Sequence, residues 1–121
     1  MDTTRHVRQS RVTTLDPDRV TRYLARIGVG PVTAPTLDAL ARLAHAHVTT
    51  IPFENLDIHL ENPISLVPEE VVDKLTLDSR GGFCYELNGA FAALLVSLGY
   101  EVDLLEARVF NDSRLGPRFD H

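Results

Sequence analysis

Cysteine occurs once in the 121 residues, at Cys84. No internal disulfide can form, and a reducing, cytoplasmic setting is the expectation. Long apolar runs are missing. None approaches the ~20 residues that span a bilayer, and Met1-Asp2-Thr3-Thr4-Arg5 opens no signal peptide, so no membrane partner is expected. Positive charge is scarce: twelve Lys+Arg face seventeen Asp+Glu, a formal net charge of −5, which argues against a nucleic-acid-binding patch. Lysine is nearly absent. Lys74 alone stands against eleven arginines, a usage we read as coding bias without functional weight. Internal repeats and low-complexity segments are absent as well. What is present is ordinary globular material, 44% apolar and 24% charged, at a length that suits one domain.

Residues 1–14 carry Arg5, Arg8 and Arg11 without apolar periodicity and read as a flexible arm. A helix follows: Asp16 can cap it, Pro17 fits its first position, and Val20, Tyr23, Leu24 and Ile27 recur at helical spacing before Gly28, Gly30 and Pro31. A second helix starts at Thr36, with Leu37, Leu40, Ala41, Ala44 and Val48 as its apolar face. Residues 51–60 read as irregular or briefly extended, and Asn62-Pro63 as a turn. Pro68-Glu69-Glu70 opens a third helix with Val71, Val72 and Leu75 inward. The fourth and strongest carries Leu87, Ala90, Phe91, Leu94, Leu95 and Leu98 and stops at Gly99. Tyr100–Phe110 alternates like a strand, 111–117 reads as a loop, and Phe119-Asp120-His121 could open a further strand. The fold class expected is α+β: a helical bundle over 15–98 and the start of a second, strand-built domain over 99–121. A single strand cannot satisfy its own edges, so that second part looks incomplete.

The chemistry concentrates in Arg80-Gly81-Gly82-Phe83-Cys84-Tyr85-Glu86-Leu87-Asn88. The two glycines permit backbone angles that other residues resist, and a tight turn into the helix. Cys84 then falls in the first turn, where unpaired N–H groups and the helix dipole favour a thiolate, the nucleophilic form. The competing reading is a buried cysteine serving as a small apolar residue. A nucleophilic cysteine needs a base. His6 lies in the arm, and His45 and His47 diverge on their helix, which also argues against a shared metal. Both read as solvated or half-buried. Spacing alone does not choose between His59 and His121.

These residues, with Pro52-Phe53-Glu54-Asn55-Leu56-Asp57 before them and Gly99-Tyr100 after, resemble the arylamine N-acetyltransferase family. The resemblance runs from about Leu15 onward. It implies a helical bundle leading into a β-barrel of cysteine-proteinase type. It also implies ping-pong transfer of an acetyl group from acetyl-CoA, through a cysteine thioester, to an arylamine, arylhydrazine or N-hydroxyarylamine. Cys84 matches the nucleophile and His121 the general base. Glu54 and Arg80 match an ion pair near the site, with a structural role in holding the glycine turn. Glu86 and Asn88 are expected to tie Gly81 and Gly82 to their neighbours. Phe53 and Phe83 are candidate walls of the substrate pocket, or plain core.

Members of the family are more than twice this long. Their third catalytic residue, an aspartate beyond the histidine, has no match here, and Asp120 adjoins His121 on what would be the opposite face. Loss of the orienting carboxylate costs on the order of 10⁴ in rate in a comparable triad. The expectation is therefore a truncated chain whose catalysis needs the rest of an enzyme. Two alternatives stand beside it: a non-catalytic remnant acting as an interaction module, and an amide synthase of the same family that closes a macrolactam.

Overall fold

Asp16 starts the first helix as its sequence suggests. In the computed structural model, which describes residues 12–108, 110, 111, 114 and 115, its carboxylate accepts from the Arg19 N–H at 3.1 Å. Helix α1 (Pro17–Ile27) ends at Gly28, whose φ of 75° places it in the left-handed region. Helix α2 (Leu37–Thr50) is capped by the Thr36 hydroxyl, which accepts from the Ala39 N–H at 3.1 Å. A single turn, α3 (Leu56–His59), stands where irregular chain was expected, because the Asn55 carbonyl accepts from the N–H groups of Ile58 and His59. Helix α4 (Pro68–Leu77) buries Val71, Val72 and Leu75 as expected. Helix α5 (Cys84–Ser97) is followed by Gly99 at φ 101°, and the Tyr100 N–H reaches back to the Leu95 carbonyl.

Helix α4 lies between α1 and α5, and α2 packs on α1. Tyr23, Leu43, Val72, Leu75 and Leu94 form the fully buried centre. Asp73 clamps α1 to α4, taking Arg19 at 2.9 Å and Arg22 at 2.8 Å. The Arg19 hydrogen bond, and then that of Arg22, hold its carboxyl below the usual range against the cost of burial. Part of the expected arm belongs to this body, since Val12 packs against the core; just after the arm, the Leu15 N–H donates to Ser97 Oγ at 2.8 Å. Residues 1–11 lie outside the described residues. No helix among the described residues is long and apolar enough to cross a membrane.

The inward face of α2 differs from the expected one. The buried face of α2 is Ala39, Leu43 and His47, whereas Leu37 and Val48 are 81% and 79% exposed. The helix is rotated because His47 counts as a core residue. It is buried, shares a 2.6 Å hydrogen bond with the Tyr23 hydroxyl, and lies 4.5 Å from the Phe91 ring centre. Of the expected strand over Tyr100–Phe110, the described residues 100–108 form none, and among its described residues only Phe110 is in a strand. Val102 and Leu104 do alternate with exposed Glu101 and Asp103, but alternation without a neighbouring strand builds no ladder. Pairing instead joins β1 (Phe110–Asn111) to β2 (Arg114–Leu115), antiparallel, so strand structure begins at the last residue of the expected strand and continues into the stretch expected to be a loop. The described residues are thus mostly helical with two short strands.

His47 gives the fold an acid-sensitive point. Burial lowers its pKa from 6.5 to about 4. Between those values the unfolded chain binds a proton that the folded chain refuses, so stability rises with pH across the window. The contribution is intact above pH 6.5 and falls by about 3 kcal/mol as pH drops through 4. Urea unfolding at pH 7 and 4.5 should show this loss, and H47Q should flatten it. An equal slope in H47Q would contradict the assignment.

Candidate active site

The turn out of α4 is made at Ser79, a non-glycine residue at φ 51°, which delivers Arg80 and the two glycines. Neither Gly81 nor Gly82 adopts a positive φ. The glycines serve close approach rather than unusual angles, which corrects the expectation. A Cβ on Gly81 would sit 1.8 Å from the Pro52 carbonyl oxygen. Gly82 forms a parallel bridge with Phe53: its N–H donates to the Pro52 carbonyl at 3.3 Å, and its carbonyl accepts from the Glu54 N–H at 2.9 Å.

Cys84 is the first residue of α5 and is half-buried. Its predecessor, Phe83, occupies the cap position but has no side-chain acceptor to cap with. Glu86 supplies the reciprocal bond of a capping box, its Oε1 accepting from the Phe83 N–H at 3.1 Å. Asn88 is one helical turn beyond Cys84, on the same face, and is exposed. The structure does not bring it to the glycine turn, since a residue four positions after the cysteine points away from Glu86's side of the helix.

A chain of alternating charges runs behind the turn. Glu54 is salt-bridged to Arg80, whose other terminal nitrogen meets Asp57 at 2.9 Å. Asp57 meets Lys74 at 2.8 Å, and Lys74 meets Glu86 at 2.9 Å. Asn62 also donates to Asp57 at 3.2 Å, and the Gly81 N–H points to Glu54 at 3.4 Å. Asp57 and Glu86 are buried. Hydrogen bonds from Lys74, then Arg80 and Asn62, hold the Asp57 carboxyl well below the usual carboxylate range. Burial works to lower the Lys74 pKa, but its bonds to Asp57 and Glu86 prevail and raise it. Buried carboxylates of this kind are tolerated only when paired and hydrogen-bonded, as both are here.

The structure therefore gathers Glu54, Arg80, Gly81, Gly82, Glu86 and Cys84 around one turn. Asp57 and Lys74, to which sequence alone assigns no role, join them. The signal for Lys74 was its rarity, a single lysine where arginine is otherwise used throughout. A cavity of about 300 Å³ beside the charge chain is lined by Asp57, Asn62, Lys74, Arg80 and Glu86 among others. Phe53, Phe83 and Cys84 do not border it. Phe53 is 65% exposed, which removes the plain-core reading for it. Phe83 is half-buried and meets Tyr85 edge-on, ring centres 5.9 Å apart. His59 ends α3 and is exposed, and His121 lies outside the described residues.

Known proteins resemble this chain in sequence and fold. The N-acetyltransferase family profile matches residues 36–121. The arylamine N-acetyltransferase of Mycobacterium tuberculosis is 47% identical over 91 residues, which cover 74% of this chain and 32% of that protein. The chain belongs to the arylamine N-acetyltransferase family. The solved structure of the M. tuberculosis arylamine N-acetyltransferase superposes with a TM-score of 0.74 at 44% identity, covering 82% of this chain and 39% of that one. The Mycobacterium marinum arylamine N-acetyltransferase in complex with CoA gives 0.72 at 45% identity, covering 78% of this chain and 35% of that one. The chain thus spans about a third of the length of the family members it matches.

Proposed function

We propose that this chain takes part in acetyl transfer from acetyl-CoA to arylamines or arylhydrazines through a thioester on Cys84. The observation that supports this most is the seat of Cys84, at the first position of α5 behind a turn held by Gly81, Gly82 and the charge chain. The opening turn of a helix stabilises developing negative charge, which suits a sulfur nucleophile. In the first half-reaction Sγ bonds to the acetyl carbonyl carbon while the thiol proton passes to His121, in the role that the family resemblance gives it. The carbon–sulfur bond to CoA breaks, and CoA leaves as its thiol with that proton. In the second, the acceptor nitrogen bonds to the same carbon and the Cys84 carbon–sulfur bond breaks. The amine's proton returns through His121 to the thiol. The same proposal includes a helical unit over 15–98, the start of a barrel of cysteine-proteinase type over 99–121, and a cytoplasmic setting.

Intact-mass analysis after incubation with acetyl-CoA or p-nitrophenyl acetate tests the reading. One acetyl group on the wild-type chain, none on Cys84→Ser, and its removal by an added arylamine are the expected results. No adduct under any condition overturns it. A second reading, a non-catalytic interaction module, draws on exposed apolar side chains such as Phe53, Leu56, Leu60 and Leu77. It gains if the chain self-associates and takes up no acetyl group.

A further inference from the structure

We propose that Lys74 is a positioning residue for Cys84: its ammonium, held between Asp57 and Glu86, fixes the carboxylate from which the residue before the cysteine is hung. The proposal rests on Cys84 being the nucleophile. The path is short and continuous. Lys74 Nζ lies 2.9 Å from Glu86 Oε2, and the other oxygen of that carboxylate accepts from the Phe83 N–H at 3.1 Å. Phe83 is the cap residue of α5, and Cys84 is the next residue. The two oxygens of Glu86 are thus engaged from opposite sides, one by α4 and one by the backbone of the turn.

The lysine is anchored in its own right. Its second partner is Asp57 at 2.8 Å, itself held by Arg80 at 2.9 Å. One nitrogen therefore ties α3, α4 and α5 together. The surroundings are close: the side chains of Lys74, Asp57 and Glu86 are only 15%, 11% and 4% exposed. A compact ammonium brings both carboxylates to one nitrogen, at 2.8 and 2.9 Å, whereas a guanidinium such as that of Arg80 spreads its partners over separate nitrogens. This offers a reason for a lysine at the one position where the chain departs from arginine. Without it, Glu86 would be a buried carboxylate with no counter-charge, free to rotate away from Phe83 or to draw in water. The first turn of α5 would then loosen where the sulfur sits.

The test is the rate at which Cys84 is alkylated by iodoacetamide across pH, read by intact mass in the wild-type chain, K74M and K74R. The single cysteine makes the signal unambiguous. K74M is expected to keep its helical circular dichroism but to lose about five- to tenfold in alkylation rate at pH 7, the size of a lost helix-terminus interaction. Its rate profile should move to higher pH, and K74R should recover most of the difference. A folded K74M with the wild-type profile overturns the proposal, because a purely structural pair would leave the profile in place. Should K74M not fold, K74M/E86Q removes both charges together, and the same alkaline displacement is expected. If neither folds, Lys74 serves folding rather than positioning, and the proposal falls. Failure of the underlying reading looks different. Wild-type Cys84 would then react no faster than the same chain unfolded in urea.

Discussion

Gly81→Ala should cost this protein on the order of 3 kcal/mol or more, and with it the presentation of Cys84. The added methyl carbon would lie 1.8 Å from the Pro52 carbonyl oxygen and 2.9 Å from the carbonyl carbon. Both are backbone atoms, so no side chain can rotate away to make room. Either the segment after α2 or the turn before α5 must move, and the bridge between Phe53 and Gly82 breaks in both cases. Gly82→Ala provides the comparison. Its Cβ would meet the Glu86 side chain at 3.0–3.2 Å, an overlap that a shift of a few tenths of an ångström relieves, so a loss of about 1 kcal/mol is expected. Thermal unfolding of the two variants should rank them in this order. Equal losses would show that the approach to Pro52 is not what requires a glycine.

Arg80→Met is expected to destabilise by about 2–3 kcal/mol, less than the 3–5 of a fully buried pair because the arginine side chain is 32% exposed. Glu54 loses its counter-charge, and Asp57 loses one of two. Glu54 retains the long contact from the Gly81 N–H, while Asp57 retains Lys74 and Asn62. The greater damage falls on the Glu54 side, where the chain leaves Pro52 to meet the glycines. Arg80→Lys should recover part of the loss only, since a single nitrogen does not reproduce two separate terminal nitrogens, one set on Glu54 and the other on Asp57. Urea unfolding at neutral pH measures the difference. A change under 0.5 kcal/mol, the size expected of an ordinary surface substitution, would remove the ion pair from the list of what holds the turn.

Much of this could be read from residues. Helix α1 announces itself through Asp16 and Pro17, and α4 through Val71, Val72 and Leu75, because capping and periodicity are local properties. Glu54 and Arg80 were paired on the strength of a resemblance, and the geometry sets them together. The face of α2 departs from its apolar pattern because His47, polar by type, is a core residue. Its burial depends on Tyr23 and Phe91, contributed by two other helices, and nothing in the local pattern reports them. The strand over Tyr100–Phe110 was misread for a related reason: alternation describes one chain, whereas a ladder needs two. Lys74 was set aside as composition. Its partners lie seventeen residues before it and twelve after, beyond the reach of any helical repeat.

The bridge between Phe53 and Gly82 closes the chain into a ring that holds α3 and α4. Glu54, Asp57, Lys74 and Arg80 all lie within that ring, and Glu86 follows just after it. The ionic scaffold is therefore built from neighbours along the polypeptide, and assembling it carries only a modest loop-closure cost. During synthesis it can form once the opening turn of α5 has emerged from the ribosome, without waiting for the segments that follow to emerge.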